Sequence, residues 1–576
     1  MIRQDLQNIL RDALNQLEYT PDEIEVELTD PKFGDASTNV AMRLAGTVDM
    51  PPRVVAEQIV DVLNSNKPPY LSAISVAGPG FINFYLTDKS LFDRADVGAV
   101  LQDHKPYTGK TFVVEYSDPN PFKALHAGHL YTTLVGNAIG NLYETAGAKV
   151  YRVNFGGDVG LHVARAMWGI VHHGSEGSMD EAAGLQYSKQ CVDLSEAERA
   201  QIVAGHYVAA TAAYETNDVA KNQIISFNKR VYKLHEDQDK TSDFAQIYWM
   251  WREWSYDYFK TFYEAINVAP FDKYYPESDT TQLGLKTVKE QLKKGVYEDS
   301  DGAVVFRGED YGLHTRVFIN SEGLPTYETK DVGLSLHKWQ DYKFDTSVII
   351  TGNDIVEYMK VVLKSIEQFN PSLSSRTVHL THGQVKLVGG KKMSSRTGNV
   401  LLAHDVLEAA TVAAGVNSKN KVAADVKKIA YNAVKYAFLK QAIGGDIAYS
   451  PTESLALTGN SSVYLQYTYA RALSVLEKVT TVEDTPFDVD LEQAERNLLR
   501  VISQYGDTVE DAVNNVAPQV VCQYAFTLCQ TFNVFYEKNK VVGSDREALR
   551  AEILKKFTQT MDHIFTILGL EKLRKL

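Results

Sequence analysis

The stretch from residue 111 to residue 155 constrains this chain more than any other. TFVVEYS (111–117) is an apolar run interrupted by Glu115, the pattern of a strand buried on both faces. A loop with Pro119 and Pro121 follows, and then a helical stretch in which Leu130, Leu134, Ala138 and Leu142 recur every four residues. Gly147 punctuates its end, and KVYRVNF (149–155) reads as a second strand. Strand, helix, strand at this spacing is a crossover unit. Such units build parallel sheets that bind ligands at the carboxyl edge of their strands. The expected fold class is α/β, with a Rossmann-type parallel sheet at its centre.

Around that centre the chain divides by pattern. Residues 1–105 read as helix, loop, helix and a short strand near GFINFYL, an α+β module. Residues 106–400 are expected to form the domain of the parallel sheet, interrupted at about 175–265 by a helical insertion rich in Tyr and Trp. Strand signals return at AVVFRG (303–308), HTRVFIN (314–320) and TSVIITG (346–352). From about 420 the pattern is helical throughout. We read a helical connector over 401–455 and a separate all-α bundle over 456–576.

With 44% apolar and 23% charged residues, the chain has the composition of a soluble globular protein rather than a disordered one. Cys191, Cys522 and Cys529 are too few and too scattered for a disulfide framework or a four-ligand zinc site. A reducing compartment is expected, with no protein-bound metal. The amino-terminal residues lack the apolar core of a signal peptide, and no apolar run approaches the ~20 residues of a membrane span. The expected location is the cytoplasm, without membrane contact. A net charge of −14 counts against bulk attraction to polyanions, yet permits RNA recognition by local patches and shape.

Two short stretches carry candidate chemistry. In SDPNPFKALHAGHL (117–130), His126 and His129 share a face at a helix start, where free N–H groups attract phosphate. Gly128 leaves room for a nucleotide to approach the backbone, and Lys123 adds a mobile positive charge. KKMSSRTGN (391–399) is a basic loop able to wrap a triphosphate and neutralise charge growing on its leaving group. Alone, the first is also a pair of capping histidines and the second an exposed basic loop. Glu115 inside an apolar strand needs a cation. Tyr327 and Asp331, in PTYETKDVG, share a face if that segment is helical. Two carboxylates and a phenol suit a guanidinium and its five donors, while a structural bridge from Glu115 to Arg152 or Arg316 is equally open.

HAGH resembles the HIGH motif of class I aminoacyl-tRNA synthetases, and KMSS resembles their KMSKS motif, in the expected order. Ser395 stands where that family has its second lysine, with Arg396 beside it. Lys123 or Arg396 is the candidate to supply the missing charge. EYSDPNPFKALHAGH is similar to the arginyl-tRNA synthetase signature, which implies that Glu115 and Asn120, with Ser117 between them, meet arginine. YETKD resembles the arginine-binding helix and implies Tyr327 and Asp331. NFGGDVGLH (154–162) resembles the glycine-rich stretch after the second strand, with His162 at a usual Gln. TGNDIVEY (351–358) resembles the segment that closes over the substrates and points to Asn353.

FGDASTNVAMRLA (33–45) and AGPGFINFYL (77–86) resemble the family's tRNA-elbow module, implying contacts by Asn39 and Asn83. GNSSVYLQYTYARA (459–472) and FNVFY (532–536) resemble its anticodon-binding domain. Tyr464, Gln466, Tyr467 and Arg471 suit splayed bases, with at least one of the two tyrosines expected in the core. The ending LGLEKLRKL departs from the family's usual close.

The resemblance implies a ligase that activates L-arginine with ATP to arginyl-adenylate and transfers arginine to the 3′ end of its tRNA. His126, His129, Lys123, Lys392 and Ser394 would carry the catalysis. His126, Gly128, His129, Lys392, Met393, Ser394 and Ser395 would hold ATP. Magnesium would arrive with ATP as co-substrate, with no tightly bound cofactor, and the protein would be a monomer. The rivals are a class I enzyme for another amino acid, an adenylating enzyme for another carboxylate, and a tRNA-binding protein without catalysis.

Overall fold

The apolar run at residue 111 forms strand β1 (Thr111–Glu115) of the computed structural model, which describes residues 1–103, 105–388, 401–417, 423–480 and 490–574. The chain separates into two compact units. One is the continuous stretch 107–455, and the other joins both chain ends, 1–106 with 456–576.

In the continuous unit β1 leads to helix α1 (Ala127–Thr145), strand β2 (Lys149–Gly156) and helix α2 (Leu161–Gly174). The insertion continues as α3 (Glu181–Gln190), α4 (Glu196–Thr216), α5 (Asp218–Glu236) and α6 (Asp243–Ala265). Strand β3 (Lys273–Pro276) and helix α7 (Glu277–Leu292) follow. Next come three short strands, β4 (Glu298–Ser300), β5 (Ala303–Phe306) and β6 (Arg316–Ile319). The unit continues with α8 (Tyr327–Tyr342), β7 (Thr346–Gly352), α9 (Val356–Phe369) and β8 (Thr377–His382).

The main sheet runs β8-β7-β1-β2-β3 with all pairs parallel. Chain order reverses between β1 and β7, so their carboxyl ends frame the crevice where such sheets bind ligands. TSVIITG is β7, as its apolar pattern indicates. AVVFRG and HTRVFIN stand apart from the parallel sheet: as β5 and β6 they join β4 in a small antiparallel sheet. Both edge strands of the main sheet escaped the sequence reading. β3 is four residues ending in Pro276, and β8 carries two histidines, so neither shows a buried-strand run.

Packing follows from the sequence. Leu130, Leu134, Ala138 and Leu142 are all buried on α1. A side chain at Gly136 would lie 2.2 Å from Cγ of Tyr116, so α1 meets the end of β1 at van der Waals contact. Helices α7 and α8 touch through backbone. A Cβ on Gly284 would lie 2.1 Å from the Thr329 carbonyl oxygen, and one on Gly333 2.1 Å from that of Thr280. The insertion has its own core, where Trp168, Tyr248 and Trp251 pack with Phe122 from the loop after β1. Residues 401–455 pack within the same unit, and their helical run is broken by strand Ile447–Tyr449, which pairs in parallel with Val385–Leu387.

In the other unit a four-stranded antiparallel sheet runs in the order Glu27–Leu28, Ala36–Thr38, Phe81–Leu86, Leu71–Ala77. Its helices are Ile2–Gln16, Val40–Val48 and Pro52–Ser65, with Asp88–Arg94 and Val97–Asp103 after the sheet. Of the four strands only the one at GFINFYL was read from the sequence, while helices on both sides of a loop were expected and are present. The carboxyl-terminal part is helical, with helices Ser462–Leu476, Gln493–Ser503, Tyr505–Asn514, Pro518–Lys538 and Glu547–Ile567. Among the described residues no helix is long and apolar enough to cross a membrane.

Candidate active site

The loop leaving β1 is strained. Ser117, Asp118 and Phe122 all have positive φ (75°, 46° and 65°), a conformation that costs energy in residues other than glycine and collects at functional sites. Local bonds hold it. Asp118 accepts from the Phe155 N–H at 2.8 Å, Asn120 Oδ1 from the Gly157 N–H at 2.8 Å, and Ser255 Oγ from the Phe122 N–H at 3.0 Å. The loop lies so close to the end of β2 that a Cβ on Gly156 would sit 2.7 Å from the Pro119 carbonyl oxygen. Ser117 is 3% exposed, its hydroxyl engaged by Tyr263 at 2.8 Å and Thr133 at 2.7 Å. Those bonds hold its side chain within the loop.

At the start of α1 the two histidines stack, ring centroids 3.6 Å apart and planes 18° from parallel. Each Nδ1 accepts the other residue's backbone N–H at 3.2 Å, a reciprocal capping box. Burial and the charge of Lys123 push His126 down to about 4; burial, His126 and Lys123 push His129 well below the usual range. Both rings are therefore neutral at pH 7. With each Nδ1 an acceptor, the proton sits on Nε2, so each imidazole keeps one N–H to donate. The place of a side chain on Gly128 is taken by the His126 ring, 2.9 Å from the ideal Cβ. Glycine is needed there for the histidine as well as for any nucleotide. Lys123 stands over the ring of Tyr207 on α4, 4.8 Å from its centroid.

The end of β1, the loop after it and helix α8 bring together a group of buried carboxylates. Glu115 is 2% exposed and is paired with neither Arg152 nor Arg316: its partner is Lys338 on α8, itself 1% exposed. Arg152 is taken by Glu144 and Asn141, and Arg316 by Glu328. The YETKD segment is helical, so Tyr327 and Asp331 do lie one turn apart. Tyr327 is exposed, and Asp331 accepts the hydroxyl of Tyr358 on α9. Burial pushes the Asp331 carboxyl up to about 8, with Glu115 adding to the effect and the Tyr358 bond opposing it. Burial and then Glu115 likewise hold Asp118 well above the usual carboxylate range. Three acids, Glu115, Asp118 and Asp331, thus share Lys338 as their nearby cation, a surplus that a guanidinium would relieve. Beside them Lys330 donates to Glu277 at 2.5 Å, both 4% exposed.

His162 donates from Nε2 to the Gly157 carbonyl at 2.7 Å, and burial pushes it down to about 3. Asn353 is exposed in a short 3-10 turn after β7. Lys392, Met393, Ser394, Ser395 and Arg396 lie outside the described residues. The chain beyond them returns directly to the histidines: Ala127 N–H donates to Leu401 O at 2.8 Å and Ala403 N–H to Leu125 O at 2.9 Å. On the near side of the motif, His382 at the end of β8 bonds Thr132 of α1 at 2.6 Å.

In the two-ended unit the RNA-facing expectations divide. Tyr467 is 46% exposed, with the Arg471 guanidinium over its ring at 4.7 Å and over the exposed Tyr536 at 5.2 Å. Tyr464 is half-buried and accepts from Asn533 at 2.8 Å. Gln466 is 1% exposed and donates to the Glu571 carbonyl, and Asn83 is 5% exposed in an inner strand. These two correct the sequence reading: both are interior groups without a surface to offer RNA. Asn39 is half-buried at the start of helix Val40–Val48.

Sequence reasoning missed Lys338, Lys330, Glu277, Tyr358 and Tyr536. Lys338 had a usable signal: it lies seven residues after Asp331 and eleven after Tyr327, on the same helical stripe. Tyr358 closes the TGNDIVEY segment singled out above, whereas Glu277 comes from an element distant in sequence and had no such signal.

The family model for the class I tRNA synthetase (R) catalytic domain matches residues 97–448. The model for the arginyl tRNA synthetase N terminal domain matches 4–86, and that for the DALR anticodon binding domain matches 465–576. The chain is 29% identical over 530 residues to the arginine–tRNA ligase of Flavobacterium psychrophilum, covering 86% of this chain and 84% of the relative. It is 26% identical over 589 residues to that of Borrelia garinii, with 96% and 95% covered. Among solved structures, the arginyl-tRNA synthetase of Thermus thermophilus aligns over the full length of both chains with a TM-score of 0.81 at 20% identity. That of Plasmodium falciparum aligns over 100% and 99% with a TM-score of 0.79 at 19% identity. With all three parts of the chain matched in order, and a class I nucleotide fold in place, the chain belongs to the arginyl-tRNA synthetase family.

Proposed function

We propose that this arginine–tRNA ligase holds its substrates in the crevice between β1 and β7, with the guanidinium among the buried acids and the triphosphate over the histidine pair. Two groups at the crevice support the reading. One is the pair of neutral imidazoles presenting Nε2–H at a helix start. The other is the trio of carboxylates that shares Lys338. The arginine carboxylate attacks the α-phosphate of ATP, forming arginyl-adenylate as pyrophosphate leaves. The 3′-terminal ribose hydroxyl of tRNA then attacks the arginyl carbonyl, losing its proton and releasing AMP. Neither step needs a protein nucleophile, so the chain contributes positioning and charge.

In this scheme Glu115 and Asp331 face the guanidinium, and Asn120, Tyr327 and Asn353 line the rest of the amino-acid site. His126 and His129 donate to phosphate oxygens, while Lys123 and Lys392, with Ser394, meet the charge that grows on pyrophosphate. Gly128, Met393 and Ser395 border the nucleotide, and magnesium enters bound to ATP. The Tyr467–Arg471–Tyr536 group offers a stacking platform for an unpaired base. Residues 1–105 serve tRNA recognition, 106–400 the chemistry, 401–455 the link, and 456–576 the anticodon. We further assign a monomer acting in the cytoplasm. Aminoacylation assayed with each of the twenty amino acids and total tRNA tests the reading. Arginine alone should be charged, and charging of a different amino acid would overturn it.

A further inference from the structure

We propose that Asp35 is a positioning residue that locks the amino-terminal module to the carboxyl-terminal helical domain, so that the two meet one tRNA as a single rigid gauge. The inference rests on the reading that this unit binds tRNA. Asp35 belongs to FGDASTN, the motif whose resemblance suggests RNA contact, yet it is 3% exposed and faces the protein. Its Oδ1 accepts from Arg500 Nε at 3.0 Å, and its Oδ2 from Arg496 Nη2 at 2.9 Å and the Leu86 N–H at 2.7 Å. Arg496 and Arg500 lie one turn apart on helix Gln493–Ser503 and reach into the module together. Arg496 also binds Asp88 at 3.1 Å and the Leu86 carbonyl at 3.2 Å, and Arg500 binds the carbonyls of Thr29 and Gly34. A second clasp works at the chain's start. Asp507, fully buried, accepts the N–H groups of Ile2 and Arg3 at 3.2 and 3.1 Å, and Arg3 pairs with Asp511.

Buried ion pairs add little net stability compared with well-packed apolar residues, but their directional bonds fix one register. The site joins two guanidinium groups and a backbone N–H on one carboxylate, which holds orientation as well as contact. Two modules that contact one ligand gain most when their spacing is preset, because no freedom is lost on binding.

The test uses the full chain with Glu57→Cys and Thr527→Cys, both on exposed helix faces, labelled for distance measurement; Cys191, Cys522 and Cys529 are buried. The distance distribution should be narrow, and Asp35→Ala should broaden it. In the unlabelled chain Asp35→Ala should raise KM for tRNA on the order of tenfold or more, with kcat and the KM values for arginine and ATP within about twofold. Arg500→Ala should do the same, and the double variant should add little. If Asp35→Ala loses its cooperative melt, Asp35→Asn, which keeps the shape, takes its place. A narrow distribution and unchanged KM for tRNA in the variant would overturn the proposal. Tyr467→Ala with Arg471→Ala separates the underlying reading: an unchanged KM for tRNA there would remove this unit from RNA binding, while the distance distribution still judges the clamp.

Discussion

Burial, with Glu115 adding to it, holds the Asp331 carboxyl up at about 8, so below that pH its protonated form is favoured. A bound guanidinium favours the carboxylate, so arginine binding must expel a proton below that pH. The sign follows: affinity for arginine rises with pH. The KM for arginine should fall by roughly tenfold per pH unit from 6 to 8 and then level off. Asp331→Asn should abolish that slope and raise KM at pH 8 on the order of tenfold to a hundredfold. A KM independent of pH in the wild-type protein would place the guanidinium elsewhere. The histidines make a contrasting case. Both imidazoles are neutral through the physiological range, so kcat should show no inflection near 6.5 on their account. His129→Ala removes a donor aimed at developing charge, and kcat should drop by about 10²–10³ while KM for ATP changes little. Steady-state kinetics at saturating tRNA decides both.

Helices α7 and α8 carry Glu277, Lys330, Asp331 and Lys338, and their mutual approach sets the pocket. Gly284 and Gly333 allow that approach, each facing a carbonyl oxygen of the other helix. Gly333→Ala must push the helices apart, since a carbonyl cannot rotate away as a side chain can. We expect destabilisation of about 1–3 kcal/mol, read by calorimetry, together with a raised KM for arginine. An unchanged KM would mean that the helices move without shifting Asp331. Elements also show what a sequence conceals. β1, α1, β2 and β7 were legible because long apolar runs or a 3.6-residue stripe mark elements buried on a broad face. β3 and β8 were not, since edge strands have less surface to bury. Assigning β5 and β6 to the small antiparallel sheet was beyond reach, because pattern shows a strand but not its partner. The same divide governs the site. HAGH is local and readable, whereas the Glu115–Lys338 pair spans 223 residues and exists only once the sheet and α8 have packed.

The whole molecule is built from a continuous unit and a unit made of both chain ends. The second joins residues 456–576 to residues 1–106, whereas the first is one continuous stretch. Two of its apolar cores, one in the insertion and one against the sheet, draw their buried members from residues 113–373. Its entry is pinned by the Tyr107 N–H on the Ala146 carbonyl at 3.0 Å. This bears on how the division of labour should be tested. Deleting residues 1–106 alone strips Arg496, Arg500 and Asp507 of their partners, so a loss of tRNA charging would mix lost recognition with a loosened helical domain. A fragment of residues 107–455 leaves no half-unit behind. It should melt cooperatively, bind ATP and arginine with affinities within a few-fold of the full chain, and lose on the order of a hundredfold or more in kcat/KM for tRNA as the second module is lost. Calorimetry, nucleotide titration and aminoacylation read the three properties. Full charging by the fragment would show that the reaction takes its tRNA through the continuous unit alone.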